Sequence, residues 1–227
     1  MSRQLPIPLP TTPSFEAQTF VVSPSNEAAH RLVTMWPRWT APVLVVHGPR
    51  GSGKSHLAAL WRAQAAAPLI AAEALAIDAV PSLLGEARAV LVEDAERAVE
   101  SAEREQALLH LHNLALARGG TMLLTAAEPP NLWPLTLADL ASRLRAALPV
   151  RIDPPDDALL AAVLRKLFAD RQLQVGDEVV QAALARMERS FAGAQALADA
   201  LDYQSLAQKR PITTVLLREV LAHRGDL

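Results

Sequence analysis

At 227 residues, 51% hydrophobic and 20% charged, the chain has enough apolar material for one large domain or a domain with a small appendage, and general disorder is excluded. A net charge of −2 gives no basic excess for holding DNA phosphates unaided, so contact with DNA is expected only indirectly, through a partner. The absence of cysteine removes disulfides, thiolate metal sites and cysteine nucleophiles. With no apolar run of ~18 residues and no apolar segment behind Met1, the expectation is a soluble cytoplasmic protein without membrane contact or secretory signal.

Residues 1–13 carry Pro6, Pro8, Pro10 and Pro13, too many for helix or central strand, and predict an extended, solvated tail. A short apolar segment, Phe15 to Val22, leads to a helix over Asn26 to Met35 with Ser25 or Asn26 as its cap. Pro37 and Pro42 bracket a tryptophan-containing loop. Val43 to His47 then reads as a buried strand and Lys54 to Ala66 as a helix. Further strands are predicted at Leu69–Ala71, Ala89–Glu93, Thr121–Thr125 and Pro149–Ile152, with helices at Glu103–Ala117 and Leu137–Ala147. Strands alternating with helices predict a doubly wound α/β fold with a parallel sheet of five strands. After Asp153-Pro154-Pro155 only amphipathic helical patterns remain, at Asp157–Arg171, Asp177–Met187, Phe191–Gln208 and Thr213–His223. The expected organisation is a tail (1–13), an α/β core (14–153) and a small helical domain (154–227).

Between the first strand and its helix lies Gly48-Pro49-Arg50-Gly51-Ser52-Gly53-Lys54-Ser55, a complete G-x-x-x-x-G-K-[ST] phosphate loop in its proper context. Glycines allow backbone N–H groups to turn inward around phosphates, and the following helix adds its positive end. Lys54 would reach the β- and γ-phosphates of ATP or the β-phosphate of ADP, and Ser55 would offer its hydroxyl to Mg²⁺. Such a loop needs an acid at the end of a neighbouring strand, and Val90-Leu91-Val92-Glu93-Asp94 supplies two. Glu93 occupies the position where the pattern has a metal-partnering Asp, and Asp94 follows in the position for orienting the attacking water. The division of labour between them stays open, and the rest of the acidic run (Glu96, Glu100, Glu103) reads as a solvated face. No N-K-x-D guanine-reading motif occurs. His47, His56, His110 and His112 lack metal-type spacing. The four tryptophans read as packing residues, with Trp36 and Trp39 in a loop where a partner could touch them.

An α/β core followed by a helical lid is the layout of AAA+ ATPases, and the residues resemble one family of them, the DnaA-like proteins. Phe15 with Thr19-Phe20-Val21-Val22 and Ser25-Asn26-Glu27-Ala28-Ala29-His30 is similar to that family's N-terminal segment, which packs near adenine; the resemblance implies nucleotide contacts at Phe20 and Val21. Gly53-Lys54-Ser55-His56-Leu57 matches the family's phosphate loop and extends the implied site to His56. Leu124-Thr125 followed by Pro129-Pro130 resembles the sensor 1 strand, with Thr125 as the sensor. Asp139-Leu140-Ala141-Ser142-Arg143-Leu144 resembles the segment whose last arginine reaches a neighbouring subunit's nucleotide, implying that Arg143 is a catalytic finger acting in trans. The resemblance covers about residues 15–222.

Within this family, DnaA has a C-terminal helix-turn-helix domain, for which no room is expected beyond the lid. Gln4-Leu5-Pro6-Ile7-Pro8-Leu9 instead resembles the sliding-clamp-binding tail of the Hda branch, with Gln4 as polar anchor and Leu5, Ile7 and Leu9 as apolar plugs. The resemblance implies a regulator of replication initiation that partners DnaA and the DNA polymerase III sliding clamp, promotes ATP hydrolysis on DnaA, and hydrolyses little ATP itself; it allows a homodimer. An adaptor that recruits or sequesters DnaA without donating a catalytic group, and a self-contained ATPase, are the alternatives. The family's sensor 2 arginine falls by spacing on Ala192, and Arg189 is the nearest substitute.

Overall fold

The computed structural model describes residues 20–224 and divides the chain into two compact units, with the boundary between Asp153 and Pro154. The first unit is a sheet of five strands, β1 (Val43–His47), β2 (Leu69–Ala71), β3 (Ala89–Glu93), β4 (Thr121–Ala126) and β5 (Leu148–Arg151). All neighbours are parallel and the order is β2-β3-β4-β1-β5. The helices of this unit are α1 (Glu27–Thr34), α2 (Lys54–Ala65), α3 (Val80–Leu84), α4 (Ala102–Ala117) and α5 (Ala138–Arg145). The parallel α/β fold predicted from the run of strands and helices is therefore present. The strand edges move by a residue at most, whereas α3 and the flanking 3₁₀ turns at Ala72–Ala74, Ile77–Ala79 and Ala95–Glu100 were absent from the expectation.

Strand β1 shows why its sequence is apolar throughout. Val43 and Val45 face a cluster that contains Leu108 and Leu111 of α4 and Leu140 and Leu144 of α5. Leu44 and Val46 face the opposite cluster, with Ala29 and Val33 of α1 and Leu57 and Trp61 of α2. Alternate side chains of a pleated strand point to opposite faces, so a strand covered on both sides carries no polar stripe. Pro149 is tolerated because β5 is an edge strand.

The tryptophans of the loop pack inward, as expected of them, and Trp36 and Trp39 stay partly exposed. Trp39 stacks on the fully buried Trp61 with ring centroids 5.6 Å apart, and its Nε1 donates to the Leu32 carbonyl. Trp36 meets Trp61 edge-on and donates to the Thr121 hydroxyl.

The second unit has helices α6 (Asp157–Asp170), α7 (Asp177–Leu184), α8 (Phe191–Gln208) and α9 (Thr214–Arg224) around one apolar core. Leu160, Leu164 and Phe168 meet Val180, Leu197, Leu201 and Leu217 there. Two of its helices begin with side-chain caps: Asp156 accepts from the Leu159 amide at 2.7 Å and Ser190 from the Gly193 amide at 2.9 Å. Among the described residues, no helix is long and apolar enough to cross a membrane.

Candidate functional site

The loop between β1 and α2 is built to expose backbone amides. Gly48 is fixed by two strand ends: its amide donates to Ala126 at 3.1 Å, and a Cβ at this position would lie 2.1 Å from the Ile152 carbonyl oxygen. Its φ of 151°, with 75° at Gly51 and 98° at Gly53, belongs to backbone that side chains resist. Gly53 opens α2 without a side-chain cap, leaving the first turn's N–H groups to a ligand or water. Ser52 is buried, and its hydroxyl has no hydrogen-bond partner among the described residues. An orphaned buried hydroxyl, an uncapped helix start and a glycine cradle suit a group rich in acceptors, which phosphate is.

Pro49, Arg50 and Ser55 are exposed on this loop, and Lys54 is half-buried in it. The Lys54 ammonium donates to the carbonyls of Gly48 (2.7 Å) and Pro49 (2.9 Å). Burial holds its pKa below the usual lysine value, with Asp94 and Glu96 pulling the other way. Those two acids leave the end of β3, so Lys54 looks across the carboxyl end of the sheet at a pair of carboxylates. Glu93, the last residue of β3, stands in register with Ala71 of β2 and is half-buried, whereas Asp94 is exposed in left-handed backbone (φ 49°). The Asp94 amide donates to the Thr125 hydroxyl at 3.1 Å, joining the acidic turn to the end of β4. Thr125 is 1% exposed. Glu96 departs from the solvated face expected of it: its Oε1 accepts from the Ala127 amide at 2.8 Å. Sequence gave no sign of this because the partner is backbone, 31 residues away. Among the described residues, no cluster of three His, Asp or Glu could hold a metal ion by itself.

Beside the loop, the Phe20 ring stacks on His30 (centroids 5.4 Å apart) and meets His56 edge-on at 5.3 Å. Burial lowers the His56 pKa. Asn26 stands at the start of α1 but, contrary to expectation, does not cap it with its side chain: its amide donates to the Val21 carbonyl at 3.0 Å and its Oδ1 accepts from the Ser23 amide. The side chain thus fixes the turn that follows Phe20, whose ring lies against His56.

Arg143 is elsewhere. It sits in the last turn of α5 and lines a recess of about 210 Å³ with Pro42, Val43, His112 and Leu116. Val43 starts β1 and the phosphate loop leaves its end, so about 15 Å of strand separates the two sites. The Arg143 guanidinium pairs with Asp139 one turn back on its own helix, at 3.1 Å. The start of α5 is capped from α4, a feature without a sequence signature. The buried Glu105 carboxylate accepts from the amides of Thr136 and Leu137 at 2.7 Å each and from the Thr136 hydroxyl.

Comparison with known proteins finds DnaA in both sequence and fold, and RuvB of Thermotoga maritima in fold (TM-score 0.66 at 15% identity, over 80% of this chain and 61% of that one). Residues 156–221 match the family described as "Hda, lid domain". The chain is 29% identical over 174 residues to the chromosomal replication initiator protein DnaA of Caulobacter vibrioides, covering 67% of this chain and 35% of that protein. It superposes on domain III of Thermotoga maritima DnaA with a TM-score of 0.78 at 19% identity, over 95% of this chain and 98% of that one. AMPPCP-bound DnaA of Aquifex aeolicus gives a TM-score of 0.68 at 18% identity, over 87% and 69%. The chain thus has the fold of DnaA domain III, and its sequence is similar to DnaA and, over the last helices, to the Hda lid family. It matches about a third of the length of the curated DnaA.

The segment similar to the Hda lid falls within the second unit. Its α8 begins at Phe191 and Ala192, where the family's sensor 2 arginine is expected, and the nearby Arg189 is paired with Asp157 of α6 at 2.6 Å. The predicted clamp-binding residues Gln4, Leu5, Ile7 and Leu9 lie outside the described residues.

Proposed function

We propose that the chain is a nucleotide-binding regulator of replication initiation that, tethered to the sliding clamp, promotes hydrolysis of ATP held by DnaA. In this reading the loop from Gly48 to Ser55 with His56, Phe20 and Val21 holds ADP or ATP. Ser55 and Glu93 would face Mg²⁺, supplied mostly with phosphate and water ligands, as P-loop magnesium commonly is. Asp94 and the sensor Thr125 would stand at the γ-phosphate end.

The observation that carries the proposal is the placement of Arg143. It lies at the amino end of β1 while the phosphate loop lies at the carboxyl end, so this arginine cannot serve the chain's own nucleotide. A guanidinium at the opposite edge from its own P-loop suits a finger offered to a second protein. The absence of arginine at Ala192 and the pairing of Arg189 within the lid favour weak intrinsic hydrolysis.

A single-turnover assay of ATP-loaded DnaA, with and without this protein and DNA-loaded clamp, tests the reading. Arg143→Ala should slow the stimulated hydrolysis by about 10³-fold or more while clamp binding persists. Gln4→Ala with Leu9→Ala should abolish clamp binding, and excess protein should restore part of the activity because tethering raises only local concentration. No stimulation by the unmodified protein refutes the proposal. Stimulation that survives Arg143→Ala leaves an adaptor.

A further inference from the structure

We infer that Glu96 is a positioning residue of the nucleotide site, a latch that holds the end of the sensor strand against the acidic turn. The inference rests on the phosphate-loop reading and adds a residue which that motif does not contain.

Two hydrogen bonds join these segments, and they interlock. The turn gives its Asp94 amide to Thr125 at 3.1 Å, and the strand end returns the Ala127 amide to Glu96 Oε1 at 2.8 Å. Residues 94–96 and 125–127 therefore close a ring across the carboxyl ends of β3 and β4. The ring lies where the register of those strands has just stopped, with Val92 opposite Leu124 as the last paired residues. The end of β4 is held by β1 on its other side, through Thr125 and Ala126, and toward β3 these side-chain bonds continue the pairing. Thr125 is buried and cannot shift alone, whereas Ala127 and Asp94 are exposed and depend on the latch for their position. The Glu96 side chain is drawn inward enough that its Oε2 is also buried, with no hydrogen-bond partner among the described residues. The Ala127 bond is the hydrogen bond that anchors this inward pose among the described residues. Both Asp94 and Glu96 act electrostatically on Lys54, the residue that reaches β- and γ-phosphates in such loops. In the proposed reading Asp94 and Thr125 stand at the γ-phosphate end, and these are the residues that the latched ring contains.

The latch should then matter for a triphosphate and little for a diphosphate. Glu96→Asp keeps the charge and shortens the reach; Glu96→Gln keeps the reach and an acceptor oxygen and removes the charge. Affinities for ADP and AMPPCP with Mg²⁺, measured by calorimetry on the full chain, give a ratio for each variant. Glu96→Asp should lower the AMPPCP-to-ADP affinity ratio roughly ten-fold, the scale of one hydrogen bond to a charged group, with ADP affinity nearly unchanged. Glu96→Gln should stay within about two-fold of the unmodified protein. The opposite pattern, with the Gln variant impaired and the Asp variant normal, would assign the effect to charge and overturn the latch, as would two normal ratios. An equal loss for both ligands in the Asp variant, with an unchanged urea midpoint, would also overturn it. Failure of the unmodified protein to bind either ligand would instead sink the nucleotide reading itself.

Discussion

At the carboxyl end of the sheet the exposed chemistry is mostly backbone, held open by glycines, whereas at the amino end it is a side chain on a helix. The phosphate loop owes its shape to positive φ at Gly48, Gly51 and Gly53 and to the strand ends that clasp Gly48. Arg143 owes its position to packing of α5 on α4 and to the Glu105 carboxylate that caps the start of α5. Backbone sites are strict: few residues satisfy them, so they leave a readable pattern. Side-chain sites built on packing are permissive, and many sequences could hold an arginine at that place. A substitution at the first end should therefore act through sterics and at the second through lost hydrogen bonds.

The largest effect is expected at Gly48. An alanine there would place its Cβ against the Ile152 carbonyl, a backbone atom that cannot rotate away, in a conformation L residues resist. We expect Gly48→Ala to cost about 3 kcal/mol or more in chemical denaturation and to abolish ADP-dependent stabilisation. Equal stability of the variant and the unmodified protein would show that the loop yields freely, contrary to the strict half of the comparison.

Glu105 tests the permissive half. It is 1% exposed and serves three donors at the start of α5. Glu105→Ala leaves the Thr136 and Leu137 amides unpaired, which should cost about 2 kcal/mol. Glu105→Gln keeps an acceptor and should recover much of that loss while losing the favourable charge at a helix start. Urea midpoints of the three proteins, with hydrogen exchange at residues 136–140, distinguish a local cap from general core damage. In the capping account the exchange increase in Glu105→Gln is confined to those residues.

The same contrast explains what the sequence made visible. Apolar runs such as Val43–Val46 and Val90–Val92 marked strands buried on both faces, and the glycine loop between strand and helix announced the backbone cradle. Helix α3 escaped notice because five residues opening with Val80-Pro81 carry no periodicity worth reading. Glu96 and Glu105 escaped for another reason. Each is a carboxylate in a charged stretch, indistinguishable by pattern from a solvated neighbour, and the partners of both are backbone amides 31 or 32 residues away. Asn26 was legible as a helix start, but not as the clamp on Val21 and Ser23. Tertiary polar contacts of this kind have no periodic signature, so only the fold reveals them.

The smallest effect expected is a dependence of stability on pH, and it can be divided between the two ends. His47 and His56 at the carboxyl end and His112 at the amino end all have pKa values lowered from the ordinary 6.5, with burial the leading cause in each. For His112, Arg143 adds to the lowering, while the bond to Asn113 and the charge of Asp139 oppose it. A histidine whose folded pKa is depressed binds its proton more readily when unfolded. Its neutral form supports the fold fully above the unfolded pKa, and that support is lost as pH falls from about 6.5 toward the lowered folded value. The urea midpoint should accordingly fall between pH 7 and pH 5. The window lies above the ordinary carboxylate range, so it isolates the imidazoles. His112→Gln should make the slope shallower by its share, leaving the remainder to His47 and His56. A slope unchanged by that variant would place the proton uptake wholly at the phosphate-loop end. In that case polyanion binding beside Lys54, which favours protonated histidine, should flatten it instead.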